Sequence, residues 1–237
     1  MADIKQIVIV IAVSVLLIVG LSIFIASKDN KNQQLHTNNE RQEQDNLAPA
    51  SLEKIKKDTS LAIINTMNPI AVFKTNKGTF EIELFEDTMP ITVKNFKKLA
   101  EDGFYDGTKF HRVIDGFMIQ GGDPDSKGDD TSVYGQGGPG YTIQDEFVEG
   151  KHLTNTRGTI SMANTGQPNS GGSQFFINTV DNTNLDFDKP PFTSKHPVFG
   201  HVVSGMDVVD AISSVETGPG DLPVEPVVIE SVTIKKQ

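Results

Sequence analysis

The stretch FHRVIDGFMIQGGD, residues 110–123, places Arg112 inside a mostly apolar run that ends in two glycines and an aspartate. With the period of two of a β-strand, Phe110, Arg112 and Ile114 share one face, and His111 lies on the other. A buried charge is costly unless it is paired or lies at the edge of a site. Arg112 is therefore either an edge residue whose guanidinium stays in water, or part of a binding site.

Short runs with strand-like alternation surround this stretch and are separated by turn signals such as Asn76-Lys77-Gly78. A helix is predicted within 88–104, with Thr88 as candidate cap, Pro90 in the first turn and Gly103 at the end. A shorter helix is predicted at 205–214. The predicted strands cover residues 70–75, 79–85, 109–114, 117–122, 158–164, 173–179, 197–203 and 227–234. This pattern predicts a mainly β fold, a closed or nearly closed antiparallel barrel with helices over its ends.

Composition excludes several classes of function. The 237 residues include no Cys, so a disulfide framework, a thiol nucleophile and a zinc–thiolate site are excluded. The net charge is −10, and residues 69–237 hold all of the acidic excess, with 14 Lys and Arg against 24 Asp and Glu. Binding of nucleic acid is not expected, because the phosphate backbone attracts basic surfaces.

The N-terminus predicts a membrane anchor. Residues 7–26 are uncharged and apolar, and 20 residues in a helix span about 30 Å, the thickness of the hydrocarbon core of a bilayer. The run is longer than the apolar core of a signal peptide and lacks a good cleavage site, which favours an uncleaved single-pass anchor in the lipid bilayer. We expect a cytoplasmic N-terminus and an extracytoplasmic C-terminal domain, although the flanking lysines are nearly balanced.

The distribution of apolar and polar residues divides the chain into three predicted segments. Residues 1–26 form the predicted anchor, and residues 27–68 form a flexible polar tether, since most of this segment is too rich in Asn, Gln and charge to form a core. Residues 69–237 form the predicted globular domain.

Familiar catalytic and metal-binding patterns do not account for this domain. Its serines lack a nucleophile-elbow pattern, and the acidic loop 123–130 lacks two of the oxygen ligands of a calcium loop. The histidines show no metal-ligand spacing, and the glycine-rich segment 135–141 has no following lysine and helix to bind phosphate. No metal and no cofactor are expected.

The domain resembles the cyclophilins, which are peptidyl-prolyl cis-trans isomerases. Five motifs occur in family order and cover the domain from residue 69 to about residue 235. They are FHRVIDGFMIQGGD, GGPGYTIQDEF, HLTNTRGTISMAN, GGSQFFI and HPVFGHVVSGMDVVDAI. The second motif is similar to that of prokaryotic members. The resemblance implies an eight-stranded antiparallel barrel capped by two α-helices.

The resemblance also implies an isomerase site for proline-containing polypeptides. Arg112 matches the arginine that reaches into the proline pocket and is the expected catalytic residue. The matching pocket floor consists of Phe117, Met118, Phe176 and Leu185. The residues expected to line the groove and hold the peptide are His111, Gln120, Ala163, Asn164, Gln174 and His196.

Two departures from the family pattern concern the rim of the pocket. Asn184 occupies the position where the family often has tryptophan, and the segment 186–195 is longer than its usual counterpart. Weak binding of cyclosporin is therefore expected, with isomerisation largely kept.

Two alternatives to a membrane-tethered isomerase that assists the folding of exported proteins stay open at this point. One is a module that binds proline-containing partners without turnover. The other is a structural envelope protein that uses the barrel as a spacer, although such a protein would not need the pocket residues together.

Overall fold

The computed structural model describes residues 68–148 and 153–235 of the chain. The predicted anchor and the predicted tether up to residue 67 lie outside the described residues, so they stay predictions. Within the described ranges, no helix combines the length and the apolar character that crossing a membrane requires.

Eight strands form one antiparallel sheet, as predicted. The strands follow the order β3-β4-β6-β5-β7-β2-β1-β8 across the sheet. Most of them are shorter than the sequence pattern predicted. Their bounds are β1 Ile70–Thr75, β2 Gly78–Leu84, β3 Arg112–Ile114, β4 Met118–Gly121, β5 Thr159–Met162, β6 Phe175–Asn178, β7 Val198–Ser204 and β8 Ile229–Lys235.

The sheet is a half-barrel, so the predicted mainly β fold with eight antiparallel strands is confirmed, and its form is more open than the closed barrel that the resemblance implied. The edge strands β3 and β8 are not paired with each other. Irregular backbone lies between them instead: Phe110 donates its N–H to the carbonyl of Val227 at 2.9 Å, and Gly107 donates to that of Ile229 at 2.8 Å. Between these two hydrogen bonds, Lys109 and Val228 form an isolated antiparallel bridge.

Two α-helices accompany the sheet, α1 at Pro90–Glu101 and α2 at Met206–Ser213. Pro90 occupies the first turn of α1, and Gly103 follows its end with a φ of 69°, as the pattern predicted. The predicted cap at Thr88 is wrong. The carboxylate of Glu146 caps the helix instead, accepting the N–H of Ile91 at 2.9 Å and the N–H of Thr92 at 2.6 Å.

The alternation of side chains along the strands divides the apolar residues into two clusters. The main core lies inside the half-barrel and includes Phe110, Val113 and Ile119. A smaller cluster of Met118, Phe176 and Leu185 lies apart from it. Phe110 therefore does not share the face of Arg112 as the period of two predicted, because residue 110 precedes the strand.

Candidate functional site

The smaller apolar cluster forms the floor of a cavity of about 220 Å³. The structure brings together nine of the eleven residues that the resemblance implied. They are Arg112, Phe117, Met118, Gln120, Ala163, Asn164, Phe176, Leu185 and His196.

Sheet register places the central side chains of this cavity. Arg112 on β3 pairs with Gln120 on β4, and Gln120 pairs with Phe176 on β6. Residues directly opposite each other on adjacent strands project from the same face of a sheet. Three consecutive strands therefore place a guanidinium, an amide and an aromatic ring side by side.

Arg112 forms an ion pair with a residue that the sequence analysis missed. Its Nε donates to Oδ2 of Asp221 at 3.2 Å, and the Arg112 side chain is 42% exposed. Asp221 lies 109 residues further along the chain, in a one-turn 3₁₀ helix at Pro219–Asp221, so no local pattern indicates the contact. The ion pair uses Nε alone, which leaves the two terminal amino groups of the guanidinium for another acceptor.

Gln174 supports the cavity from outside it. Its Oε1 accepts a hydrogen bond from Nε2 of Gln120 at 3.1 Å. Its own amide nitrogen donates to the carbonyls of Gly135 and Gly137 at 3.0 and 2.9 Å. Gln174 thus fixes the orientation of the Gln120 side chain and does not line the cavity itself.

His196 contributes a hydrogen-bond acceptor to the cavity. Its Nδ1 lies 3.1 Å from the carbonyl oxygen of Met162, and because a carbonyl only accepts, this nitrogen carries the proton. Burial lowers the pKa of His196, which favours the neutral ring with an unprotonated Nε2. The ring also contacts Phe176 edge-on, with 5.2 Å between the ring centroids.

His111 and Asn164, like Gln174, differ from the expectation. His111 is only 5% exposed and does not line the cavity. Within the described residues, neither of its ring nitrogens has a hydrogen-bond partner, and burial lowers its pKa. Asn164 lines the cavity, but its side chain donates to the carbonyl of Lys195 at 2.8 Å and accepts from the N–H of Gly166 at 3.0 Å.

Asn184 lies on the surface beside this site. It is exposed, belongs to the one-turn 3₁₀ helix Thr183–Leu185, and does not line the cavity. Asn184, the residue predicted to stand at the tryptophan position of the family, thus presents its amide to solvent.

The arrangement suits binding and not bond cleavage. The floor is apolar, and its polar groups are one guanidinium, amides and a neutral imidazole. In the described part of the chain, no three His, Cys, Asp or Glu side chains group closely enough to hold a metal ion. Such a cavity can hold a small apolar ring beside strong hydrogen-bond donors.

Comparison with known proteins identifies the family. The sequence model described as cyclophilin type peptidyl-prolyl cis-trans isomerase/CLD matches residues 70–234. Peptidyl-prolyl cis-trans isomerase B of Escherichia coli is 45% identical over 174 residues, which are 70% of this chain and 100% of that protein. An isomerase of Acinetobacter baylyi is 44% identical over 178 residues, covering 73% of this chain and 88% of that protein.

A solved structure agrees with this assignment. The crystal structure of a Cryptosporidium parvum cyclophilin type isomerase is similar with a TM-score of 0.62 and 30% identity, covering 72% of this chain and 99% of that one. The match extends over nearly the whole of that protein, so the likeness concerns a complete domain. The chain belongs to the cyclophilin family and is a peptidyl-prolyl cis-trans isomerase.

Proposed function

We propose that Arg112 is the catalytic residue and that the cavity around it binds the proline ring of a polypeptide substrate. Rotation about a peptide bond has a barrier of about 18–20 kcal/mol because resonance gives the C–N bond partial double-bond character. As the bond twists, resonance is lost and the prolyl nitrogen gains a lone pair. A guanidinium N–H can donate to this lone pair, and the interaction strengthens in the twisted state, which lowers the barrier.

The observation that carries this proposal is the position of Arg112 on the wall of a cavity whose floor is apolar. Met118, Phe176 and Leu185 would hold the pyrrolidine ring while Gln120 holds the backbone beside it. Rotation is then confined to a single bond. Arginine suits this role because it stays charged and donates from a rigid fork.

Asp221 and Gln174 are proposed as positioning residues. The carboxylate of Asp221 restricts the rotation of the Arg112 side chain through Nε, and Gln174 restricts that of Gln120. A donor that is already oriented does not need to reorganise when the bond twists.

The proposed substrates are proline-containing polypeptides. A Cryptosporidium parvum relative with 30% identity has been crystallised in the presence of the dipeptide Ala-Pro, and this supports the same chemical class of ligand here. The acidic surface and the cavity chemistry give no reason to add a cofactor or nucleic acid.

The decisive experiment for the site is NMR exchange between the cis and trans forms of an X-Pro peptide, with the full chain in detergent micelles. Acceleration of exchange that is lost in Arg112→Ala supports the proposed site. Unchanged exchange in a folded Arg112→Ala protein would place catalysis elsewhere.

We further propose that residues 7–26 tether the isomerase to a membrane, with the domain outside the cytoplasm, where it assists the folding of exported proteins. The support is the length and the apolar character of that segment. The full chain should resist extraction by alkaline carbonate. Protease added outside intact, wall-free cells should cut within 27–68, whereas cutting only after lysis would reverse the orientation.

A further inference from the structure

The loop 186–195 leaves the rim of the cavity and returns to it at a single point. Leu185 and His196 both line the cavity, and His196 donates its N–H to the carbonyl of Leu185 at 3.1 Å. The ten residues between them therefore form a loop whose two ends are hydrogen-bonded neighbours, and the loop does not separate the two cavity residues.

Specific contacts hold the first part of this loop. The Asp186 side chain is 1% exposed, and its Oδ1 accepts the backbone N–H and the side-chain amide of Asn155, both at 2.8 Å. Its Oδ2 accepts from Nζ of Lys189 at 2.7 Å. Phe187 stacks on Phe147 with 5.0 Å between the ring centroids.

The end of the loop is fastened to the cavity wall, since the side chain of Asn164 donates to the carbonyl of Lys195. Between the loop and the neighbouring segments lies a groove of about 450 Å³. The residues that line it include Asp145, Phe147, Asn164, Pro168, Phe192 and Lys195.

Both walls of this groove are fixed. On one side, Asp145 and Asn169 exchange hydrogen bonds: the N–H of Asp145 donates to Oδ1 of Asn169 at 2.9 Å, and the N–H of Asn169 donates to Oδ2 of Asp145 at 2.8 Å. On the other side lies the fastened loop. A groove with fixed walls binds a ligand at a lower entropy cost than one that must be ordered first.

Phe192 is the most exposed large apolar side chain of the described residues, at 57%. Its φ of 61° lies in the left-handed region, which is unfavourable for a bulky residue. Together with Phe147 and Pro168 it forms an apolar patch in a groove whose other lining is mostly polar, and one acid and one lysine balance the charge of the groove. This patch therefore suits contact with an uncharged apolar side chain.

Asn164 lines both the groove and the cavity, so the two form one continuous surface. We propose that the groove is a second binding subsite, which takes an aromatic or large aliphatic side chain of the same polypeptide whose proline occupies the cavity. This inference rests on the proposed role of the cavity. It makes Phe192 a specificity-determining residue for substrates with an apolar residue near the proline.

The test uses the full chain in detergent micelles and peptides with one Ala-Pro bond in an Ala and Gly host. In this series of peptides, each carries a single Phe, which occupies one of the positions from the second to the fifth residue before or after the proline. We expect Phe at one of these positions to raise kcat/KM about fivefold to tenfold by lowering KM, because burial of an aromatic side chain contributes on this scale. Phe192→Ser should abolish the gain and leave turnover of the peptide without Phe unchanged.

Val203→Ser is the matched control, since Val203 is 47% exposed and does not line the groove. This variant should keep the gain, which would show that removing an exposed apolar side chain elsewhere does not abolish it. Loss of the gain in Phe192→Ser excludes partition of apolar peptides into the micelle as its cause, because partition does not depend on residue 192. If kcat/KM of the native chain does not depend on the position of Phe, or if the gain persists in Phe192→Ser, the proposed subsite is wrong. Lack of turnover of the peptide without Phe would instead refute the proposed role of the cavity.

A spectroscopic measurement gives an independent answer. The chain has no Trp, so Phe192→Trp introduces a single indole at the groove wall. Its emission should shift to the blue when the favoured Phe peptide binds and stay unchanged with the peptide that lacks Phe. Equal responses to both peptides would contradict the subsite.

Discussion

The proposed proline cavity and the groove beside it share Asn164 but are held in place by different means. Arg112, Gln120 and Phe176 in the cavity lie opposite one another on three paired strands. The groove is formed by loops that side-chain contacts fasten to the rest of the domain, such as the hydrogen bond from Asn164 to Lys195 and those from Asn155 to Asp186. Strand register fixes side chains closely, while loops accept changes in length and sequence. The residues proposed for catalysis thus lie on the sheet, and those proposed for selectivity lie on loops.

The strongest test of this comparison removes the side chain of Arg112, the proposed catalytic residue on the sheet. Arg112→Ala should lower kcat/KM at least ~100-fold, the lower end for the loss of one preorganised donor. NMR exchange on an X-Pro peptide measures it. Arg157→Ala is the matched control, because Arg157 is 45% exposed and pairs with Asp210 at 2.7 Å but does not line the cavity. Comparable losses in both variants would mean that the effect is a general one of charge or stability.

The next test concerns the residue that orients Arg112. Asp221→Ala should lower kcat about threefold to fivefold with KM unchanged, because an ion pair this exposed contributes up to about 1 kcal/mol. Asp221→Asn keeps an acceptor for Nε and should recover part of the loss. Steady-state exchange rates at several peptide concentrations separate kcat from KM. A change confined to KM would assign Asp221 to substrate binding.

A third test adds apolar area to the rim. Asn184→Trp should strengthen cyclosporin binding up to about tenfold, since about 60 Å² of added contact at about 25 cal/mol per Å² is worth roughly 1.5 kcal/mol. Turnover of short peptides should stay the same, because Asn184 does not line the cavity. Calorimetry on both proteins measures the affinities. Tight binding by the native chain, or no gain in the variant, would show that residue 184 does not occupy the tryptophan position.

The smallest expected effect concerns pH. Burial lowers the pKa of His111 and of His196 in the folded protein. The unfolded chain therefore binds more protons as the pH falls below about 6.5, so the free energy of unfolding should decrease from that pH downwards. Denaturant unfolding of the full chain at several pH values measures the slope. His111→Asn should flatten it, and an unchanged slope would contradict a neutral, buried His111.

The sequence predicted well what depends on neighbouring residues. Period-two alternation places Met118 and Gln120 on one face, and Pro90 and Gly103 mark the limits of α1. The resemblance to cyclophilins supplied the cavity residues from distant segments, such as Phe176 and Leu185. Residue patterns alone would have assigned such apolar side chains to the core.

Contacts between distant loops could not be predicted in the same way. The ion pair of Asp221 with Arg112 and the cap that Glu146 provides to α1 join residues that lie far apart in the chain. Nothing in the local sequence marks either acid as different from the other carboxylates of the domain. Phe110 was assigned to the wrong face because the strand starts two residues later, and strand limits depend on pairing partners that periodicity does not show.

The hydrogen bond between Leu185 and His196 bears on how this enzyme can diversify. The ends of the loop are neighbours, and the cost of closing a longer loop grows slowly, by about 0.6 kcal/mol for each doubling of its length. Segments of different length can therefore replace residues 186–195 while the two cavity residues keep their places. Grafting the corresponding segment of another cyclophilin between these two residues would exchange substrate preference and leave the bond-rotating machinery intact.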